Sequence, residues 1–139
     1  MEANRRLIER YYNELWNTWN FPLADELIAP SVTFHGSVGI SVQGLDGFRE
    51  YMQMIRSAFP DFHNAIEEMV VGNDRVAARV TYRGTHRGTI FGVAPTGRVI
   101  TYDGLAWFRI RDGKISSGHV LGNVLDLLQQ LGVKLPAAH

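Results

Sequence analysis

Two alternating segments near the C-terminal end, joined by Asp112-Gly113, constrain the fold of this chain more than any other feature. Residues 99–111 alternate apolar and polar side chains, and residues 114–121 continue after the Asp-Gly pair. An alternation with a period of two is typical of a strand with one buried face. Because Asp-Gly favours the tight turn between two antiparallel strands, the sequence predicts a long antiparallel hairpin.

Other periodicities place helices before this hairpin and further strands beside it. Residues 3–19 carry apolar side chains at spacings of three and four, which predicts an amphipathic helix. The remaining predicted elements are helices over 22–28, 44–58 and 124–131 and strands over 31–35, 62–71 and 75–87.

Long strands with the helices on one face predict an α+β fold. We expect a cone-shaped barrel, made of a curved antiparallel sheet that is covered by three N-terminal helices and a short C-terminal helix. A cavity inside such a cone is a usual place for a small apolar molecule to bind.

Size, charge and cysteine content exclude several classes of function. The chain has 139 residues, which suits one domain, and its formal net charge is zero. No basic run is interleaved with aromatic residues, which argues against nucleic acid as a partner. The sequence contains no cysteine, so disulfides, thiolate nucleophiles and cysteine-ligated metals are excluded.

The sequence also argues against contact with a membrane. No apolar segment reaches the roughly 18 residues that a membrane-spanning helix needs. The chain begins with MEANRRLIERYY, which is charged and amphipathic rather than typical of a signal peptide. We therefore expect a cytoplasmic protein.

Three common motifs of catalytic or binding sites are absent from the sequence. It has no His-x-x-x-His pair, no glycine-rich phosphate loop between a strand and a helix, and no Gly-x-Ser-x-Gly elbow. A metal centre, a nucleotide site and a serine hydrolase site therefore lack support.

Five short motifs, in a fixed order, resemble those of one protein family. They are Phe59-Pro60-Asp61, the Gly-Thr-His-Arg-Gly of residues 84–88, the Gly-Val-Ala-Pro-Thr-Gly of 92–97, the hairpin residues 108–115, and the Leu-Gln-Gln-Leu-Gly of 128–132. Together they are similar to the SnoaL-like polyketide cyclase family, within the NTF2-like (cystatin-like α+β) superfamily.

This resemblance covers nearly the whole chain, so a single SnoaL-like domain is expected over residues 1–139. It implies a cone-shaped α+β fold, a homodimer or higher homo-oligomer, and neither a metal nor an organic cofactor.

The chain departs from the family at the residues that carry its chemistry. In the characterised cyclases of this family, the Asp of a Trp-x-x-x-Asp pattern after the last strand is the general acid/base of an intramolecular aldol ring closure, and a Glu usually precedes the pattern. An ungapped alignment places Ser117, His119 and Asn123 at the Glu, Trp and Asp positions. Because Asn cannot exchange a proton at neutral pH, the usual acid/base is missing from its usual place.

Three titratable residues are candidates to replace that Asp. His119 carries an imidazole, which titrates near ~6.5, and its position in the strand matches that of Asn123, so we expect it to face the cavity. His35 ends the first strand, at a position where SnoaL-like proteins often have a His. Asp103 interrupts an apolar strand, where it is a displaced acid/base, faces outward, or pairs with an Arg. For both His residues the alternative is a structural role.

Four residues are candidates for contacts with a substrate. Asn123 would hold a carbonyl or enolate oxygen by hydrogen bonds. Tyr11 matches, by an ungapped count, the oxyanion-binding Tyr of the related ketosteroid isomerases. Trp16 and Phe59 would add aromatic surface. The alternative for Tyr11, which lies on the apolar stripe of the first helix, is a place in the core.

The sequence therefore predicts a cofactor-independent enzyme that acts on an apolar carbonyl compound, polycyclic ones included, by enolate or aldol chemistry. Two alternatives remain open: an epoxide hydrolase, dehydratase or hydroxylase on the same fold, and a non-catalytic protein that binds a small molecule. Convergence of His35, His119 and Asp103 on one buried cavity would favour catalysis.

Overall fold

A computed structural model describes residues 1–134 of the chain. The expected domain extends to His139, so its residues 135–139 lie outside the described part. The helices are α1 (Glu2–Arg10), a π-helical segment (Tyr11–Trp16), a 3-10 turn (Phe21–Leu23), α2 (Ala24–Leu27), α3 (Gly44–Ala58) and α4 (Val124–Gln130). The strands are β1 (Ile28–His35), β2 (Ser41–Gln43), β3 (His63–Val71), β4 (Arg75–Thr85), β5 (Val99–Arg111) and β6 (Lys114–Gly122).

The predicted α+β fold is confirmed, with one curved sheet against which the helices pack. The sheet has six strands in the order β2-β1-β6-β5-β4-β3, and it does not close, because β2 and β3 are its two edges. The short strand β2 was not expected from the sequence. The β5–β6 hairpin turns at Asp112-Gly113, as predicted, with positive φ at both residues.

One strand pair departs from the expected antiparallel arrangement. Strand β1 lies parallel to β6, with His35 beside His119, whereas the other four pairs are antiparallel. These two strands are far apart in the sequence, so no tight turn forces them to be antiparallel.

The two faces of the sheet differ in burial, and the difference is clearest along β5. Its burial alternates at every one of its 13 residues, with Tyr102 and Phe108 buried and Asp103 and Trp107 exposed. We call the face that packs against the helices the inner face, and the opposite one the outer face.

The inner face and the helices enclose an aromatic core. The ring of Tyr11 lies 5.2 Å from that of Phe108 and 6.1 Å from that of Phe48. These two contacts join the π-helical segment to β5 and to α3. Among residues 1–134, no helix is long and apolar enough to cross a lipid bilayer.

Candidate active site

A small cavity lies between the helices and the inner face. Its volume is about 20 Å³, which is room for a single water molecule. Tyr11 and Trp16, two of the expected substrate contacts, line this cavity. Its other lining residues are Tyr12, Phe34, Ser37, Tyr51, Ile55, Phe62, Asn64, Tyr82 and Val120.

The π-helical segment turns Tyr11 and Trp16 toward the same cavity. In a regular α-helix, two residues five apart point about 140° away from each other. Here the backbone N–H of Asn17 donates to the carbonyl of Tyr12, and that of Asn20 donates to the carbonyl of Leu15, both across five residues. In this wider turn, the side chains of residues five positions apart point in similar directions. The apolar spacing of the sequence indicated a helix but carried no signal for this change of pitch.

Three tyrosine hydroxyls at the cavity make no hydrogen bond of regular geometry within the described residues, although those of Tyr12 and Tyr82 lie near each other and that of Tyr51 lies near Ser37. They belong to Tyr12, Tyr51 and Tyr82, whose side chains are almost completely buried. The hydroxyl of Tyr102 is different, because it lies 2.8 Å from the hydroxyl of Ser37. Buried polar groups without a partner are rare, and each costs about 1–3 kcal/mol. These three hydroxyls therefore point to a water molecule or a ligand group as their partner.

A glycine next to the first strand makes room for one of these hydroxyls. A Cβ atom at Gly36 would overlap the hydroxyl of Tyr51. A Cβ atom at Gly104 would likewise crowd the ring of Tyr82, at 2.9 Å. Both phenols thus occupy space that is free only because positions 36 and 104 carry no side chain.

Burial keeps the tyrosines in their neutral form. It raises the pKa of all five tyrosines of the chain above the ordinary value, and it raises the pKa of Tyr51 to about 12. The phenols therefore donate hydrogen bonds at neutral pH and do not act as bases. Such donors, held in a water-poor cavity, can stabilise negative charge that develops on an oxygen.

The residues that line the cavity include no carboxylate and no imidazole. Their one amide belongs to Asn64, which is held in place because its side-chain N–H and its backbone N–H both donate to the Oδ1 atom of Asn17. Within residues 1–134, no group of three potential metal ligands lies together. The cavity can thus polarise an oxygen atom, but its lining has no group that titrates near neutral pH.

His35 and His119 lie together, but on the outer face. Their rings stack at 4.5 Å between centroids and 10° between planes, and the Nδ1 atom of His35 is 2.7 Å from the hydroxyl of Ser41. A groove of about 630 Å³ surrounds them, with Trp107 and Arg109 on the side of β5.

The expectation that His119 faces the cavity is wrong, and His35 does not line the cavity either. Their strand neighbours Phe34 and Val120 point inward, and alternation therefore turns both His side chains outward. The expected direction of His119 depends on a strand that continues to Asn123, but β6 ends at Gly122, so the alternation does not reach Asn123. A catalytic role for His119 or His35 stays a prediction, now at an outer site.

Asn123 begins the last helix and does not contact the cavity, contrary to expectation. Its Oδ1 atom accepts a hydrogen bond of 3.2 Å from the backbone N–H of Asp126, which caps α4. Its side-chain N–H₂ lies 3.4 Å from the carboxylate of Asp103. The two residues stabilise the junction between β5 and the helix.

Asp103 faces outward from β5 and is exposed, which was one of the three alternatives left open. It lies apart from the His pair, so the three titratable candidates do not converge on a buried cavity. The criterion for catalysis by these three residues is therefore not met, and their dispersal favours a binding role. The role of Asp103 in acid/base chemistry stays untested.

Phe59 is buried but does not line the cavity. It packs against Phe62 and against the ring of His86, at 5.9 Å from each. His86 holds the following loop, because its Nδ1 atom accepts a hydrogen bond of 3.1 Å from the backbone N–H of Thr96.

Comparison with known proteins identifies the family. The family model described as SnoaL-like polyketide cyclase matches residues 6–131, so the chain belongs to this family. No curated protein matches it.

Solved structures share the fold over almost the whole chain. A SnoaL-like polyketide cyclase candidate from Jannaschia sp. CCS1 has a TM-score of 0.87 at 18% identity, over 96% of this chain and 94% of its own. AclR of Streptomyces galilaeus, named as a candidate hydroxylase, has a TM-score of 0.83 at 28% identity, over 100% of this chain and 90% of its own. IdmH of Streptomyces antibioticus, named as a candidate polyketide cyclase, has a TM-score of 0.80 at 31% identity, over 93% of this chain and 98% of its own.

Replacing an unpartnered tyrosine by phenylalanine should not destabilise the protein. Tyr12→Phe, Tyr51→Phe and Tyr82→Phe each remove a buried hydroxyl without a protein partner, so the free energy of unfolding should stay the same or rise. Tyr102→Phe is the matched control, because it leaves the hydroxyl of Ser37 without its partner and should cost about 1–3 kcal/mol. Urea unfolding of the four variants tests this, and an equal loss in all four would contradict it.

The protein should lose stability in alkali as its tyrosines ionise. Burial raises their pKa in the folded protein above the value near ~10 of the unfolded chain. The stabilisation from keeping them neutral is complete below pH ~10 and is lost as pH rises above it. Phenolate absorbance should therefore appear together with the loss of circular dichroism. Phenolate formation near pH ~10 in a fully folded protein would contradict this.

Proposed function

We propose that this protein is an enzyme of the polyketide cyclase type, which binds an apolar carbonyl compound in the inner cavity. The hydroxyls of Tyr12, Tyr51 and Tyr82 would hold the carbonyl oxygen. The observation that carries this proposal is the set of three buried phenol hydroxyls without a protein partner at one cavity. Membership of the SnoaL-like polyketide cyclase family supports the reaction type.

The hydrogen bonds would matter most when the carbonyl oxygen becomes negative. In a ring closure of the aldol type, a carbon next to a carbonyl group loses a proton and becomes an enolate. The enolate carbon then attacks a second carbonyl carbon of the same molecule, a C–C bond forms, and the new alkoxide takes up a proton. Neutral phenols in a cavity of low polarity stabilise the enolate oxygen more than the starting ketone.

The proton itself would be carried by water that enters with the substrate. No residue that lines the cavity titrates near neutral pH, so no side chain there replaces the missing Asp of the family pattern. A substrate with carbonyl groups on both sides of the reacting carbon suits such a site, because its C–H bond is already acidic. The reaction is an isomerisation, so it needs neither oxidant nor reductant.

Binding would require movement of the side chains around the cavity. A volume of about 20 Å³ is far smaller than the usual pocket of roughly 300–1,000 Å³ for a small organic ligand. The substrate would therefore enter by displacing aromatic rings, and closure of those rings behind it would exclude bulk water.

The other enzyme classes fit this cavity less well. Hydrolysis of an epoxide normally uses carboxylates to activate water, and the lining has none. Hydroxylation, suggested by the name of AclR, needs an oxidant in addition to the protein. A protein that only binds its ligand would use the same hydroxyls, so binding and turnover must be measured separately.

Binding of a ketone probe tests the place of the site. Calorimetry with acetophenone and acetylnaphthalene should show that Tyr12→Phe, Tyr51→Phe and Tyr82→Phe each weaken binding by about 2- to 13-fold, as expected for one hydrogen bond. The matched controls are Tyr102→Phe, whose hydroxyl already pairs with Ser37, and His119→Ala on the outer face. Loss of binding in His119→Ala with unchanged binding in the tyrosine variants would move the site to the outer groove.

Turnover of a linear poly-β-ketone tests the reaction. The wild type should convert it to a cyclised isomer of unchanged mass, and a variant that combines Tyr51→Phe with Tyr82→Phe should be slower by about 10-fold or more. Binding of the ketone probes without any cyclisation would contradict the enzyme and leave a binding protein.

A further inference from the structure

Asn17, which follows the π-helical segment, binds the start of the edge strand β3 through Asn64. Its side-chain N–H₂ donates to the backbone carbonyl of Asn64 at 2.9 Å, and its Oδ1 atom accepts from the backbone N–H of Asn64 at 2.8 Å. The same Oδ1 atom accepts a third hydrogen bond, of 3.1 Å, from the side-chain N–H₂ of Asn64. Asn17 thus satisfies both backbone groups of Asn64, as a neighbouring strand would.

These hydrogen bonds decide which way the side-chain amide of Asn64 points. A backbone N–H only donates, so the atom of Asn17 that meets it is the oxygen. That oxygen only accepts, so the atom of Asn64 that faces it is the nitrogen. The reversed amide would place two oxygens 3.1 Å apart with no proton between them. The Oδ1 atom of Asn64 is therefore held on the other side of the amide, turned away from Asn17.

The side-chain oxygen of Asn64 is an acceptor at the cavity. Within residues 1–134 it accepts no hydrogen bond, although the residue lines the inner cavity and is only 3% exposed. Asn64 lies directly opposite Tyr82 in the pair of β3 with β4, so the two side chains are neighbours on the inner face. An amide oxygen can only accept, whereas a neutral phenol has a proton to donate. The cavity thus combines an obligate acceptor with several donors.

The attachment of β3 to Asn17 does not need the amide of Asn64. Two of the three hydrogen bonds use only the backbone of Asn64, so an apolar side chain at position 64 would keep them. A buried amide oxygen without a partner costs stability, which an apolar side chain would avoid. The amide therefore fits a role toward a ligand better than a role in the fold.

We propose that Asn64 makes the inner cavity selective for carbonyl compounds that also carry a hydroxyl group, either a phenol or an enol. This inference rests on the proposed function, in which the tyrosines hold the carbonyl oxygen. The hydroxyl of the ligand donates to the Oδ1 atom of Asn64, while its carbonyl oxygen accepts from the tyrosines. Poly-β-carbonyl compounds meet this requirement, because their enol form carries an O–H group close to a carbonyl.

The selectivity follows from what happens when the hydroxyl is missing. A ligand of the same shape without it excludes water from the cavity but leaves the amide oxygen with no partner. Sites built to bind a substrate hydroxyl reject the analogue that lacks it for this reason. A methyl group in place of the hydroxyl keeps the size and removes only the donor, so this pair of ligands isolates the contact.

Calorimetry with such matched ligands tests the proposal. The wild type should bind meta- or para-hydroxyacetophenone more tightly than the methylacetophenone of the same substitution, by about 2- to 13-fold, as expected for one hydrogen bond. Asn64→Leu removes the acceptor and keeps the size of the side chain, so the two ligands should then bind equally. Tyr51→Phe is the matched control, which should weaken the binding of both ligands and leave their ratio as in the wild type.

Circular dichroism and urea unfolding verify that Asn64→Leu folds. If it does not fold, Asn64→Ala takes its place, because it also removes the acceptor and keeps the two backbone hydrogen bonds to Asn17.

The possible failures separate this inference from the proposed function. A preference for the hydroxyl that persists in Asn64→Leu would overturn the inference alone, because the tyrosines would then accept the hydroxyl themselves. Equal binding of the hydroxy and methyl ligands by the wild type would also overturn the inference alone. If no aromatic ketone binds at all, the proposed function fails and the inference fails with it.

Discussion

Strand β5 packs one face against the helices and leaves the other exposed, and this alternation decides what each side of the molecule can do. Tyr102 and Phe108 lie inside, against the aromatic rings of the first helix. Asp103 and Arg109 lie outside, exposed to solvent. A shift of one residue in this strand would exchange the two sets, so the burial of the inner rings also fixes the outer pattern.

The cavity combines a cost in stability with hydrogen-bond donors that can act on a bound oxygen atom. Three buried hydroxyls without a protein partner should destabilise the fold by roughly 1–3 kcal/mol each when no water binds them. Glycines at positions 36 and 104 leave the space that two of these phenols occupy, and the π-helical turn aims Tyr11 and Trp16 at the same place. Features that conflict with local stability are expected at functional sites. Under the proposed function, the phenols, rather than a carboxylate, are the chemical groups of this site.

The sequence predicts the fold well because its signals are local. The alternation of residues 99–111 and the Asp-Gly turn specify the hairpin without reference to the rest of the chain. The site is harder to predict, because its residues meet only in three dimensions. The prediction that His119 faces the cavity rests on Asn123, which lies beyond the end of the strand. Tyr51 and Tyr82 occupy apolar positions of a helix and a strand, where a phenol looks like any core aromatic ring until its hydroxyl is found without a partner.

The most direct test is the infrared carbonyl stretch of acetophenone bound to the protein. Phenols that donate to the ketone oxygen lower this frequency, so the bound probe should absorb at or below its frequency in water. In a variant that combines Tyr51→Phe with Tyr82→Phe, the frequency should rise toward its value in a hydrocarbon solvent. A bound ketone in the wild type that already absorbs at the hydrocarbon value would contradict the account, because the tyrosine hydroxyls would then not contact the oxygen.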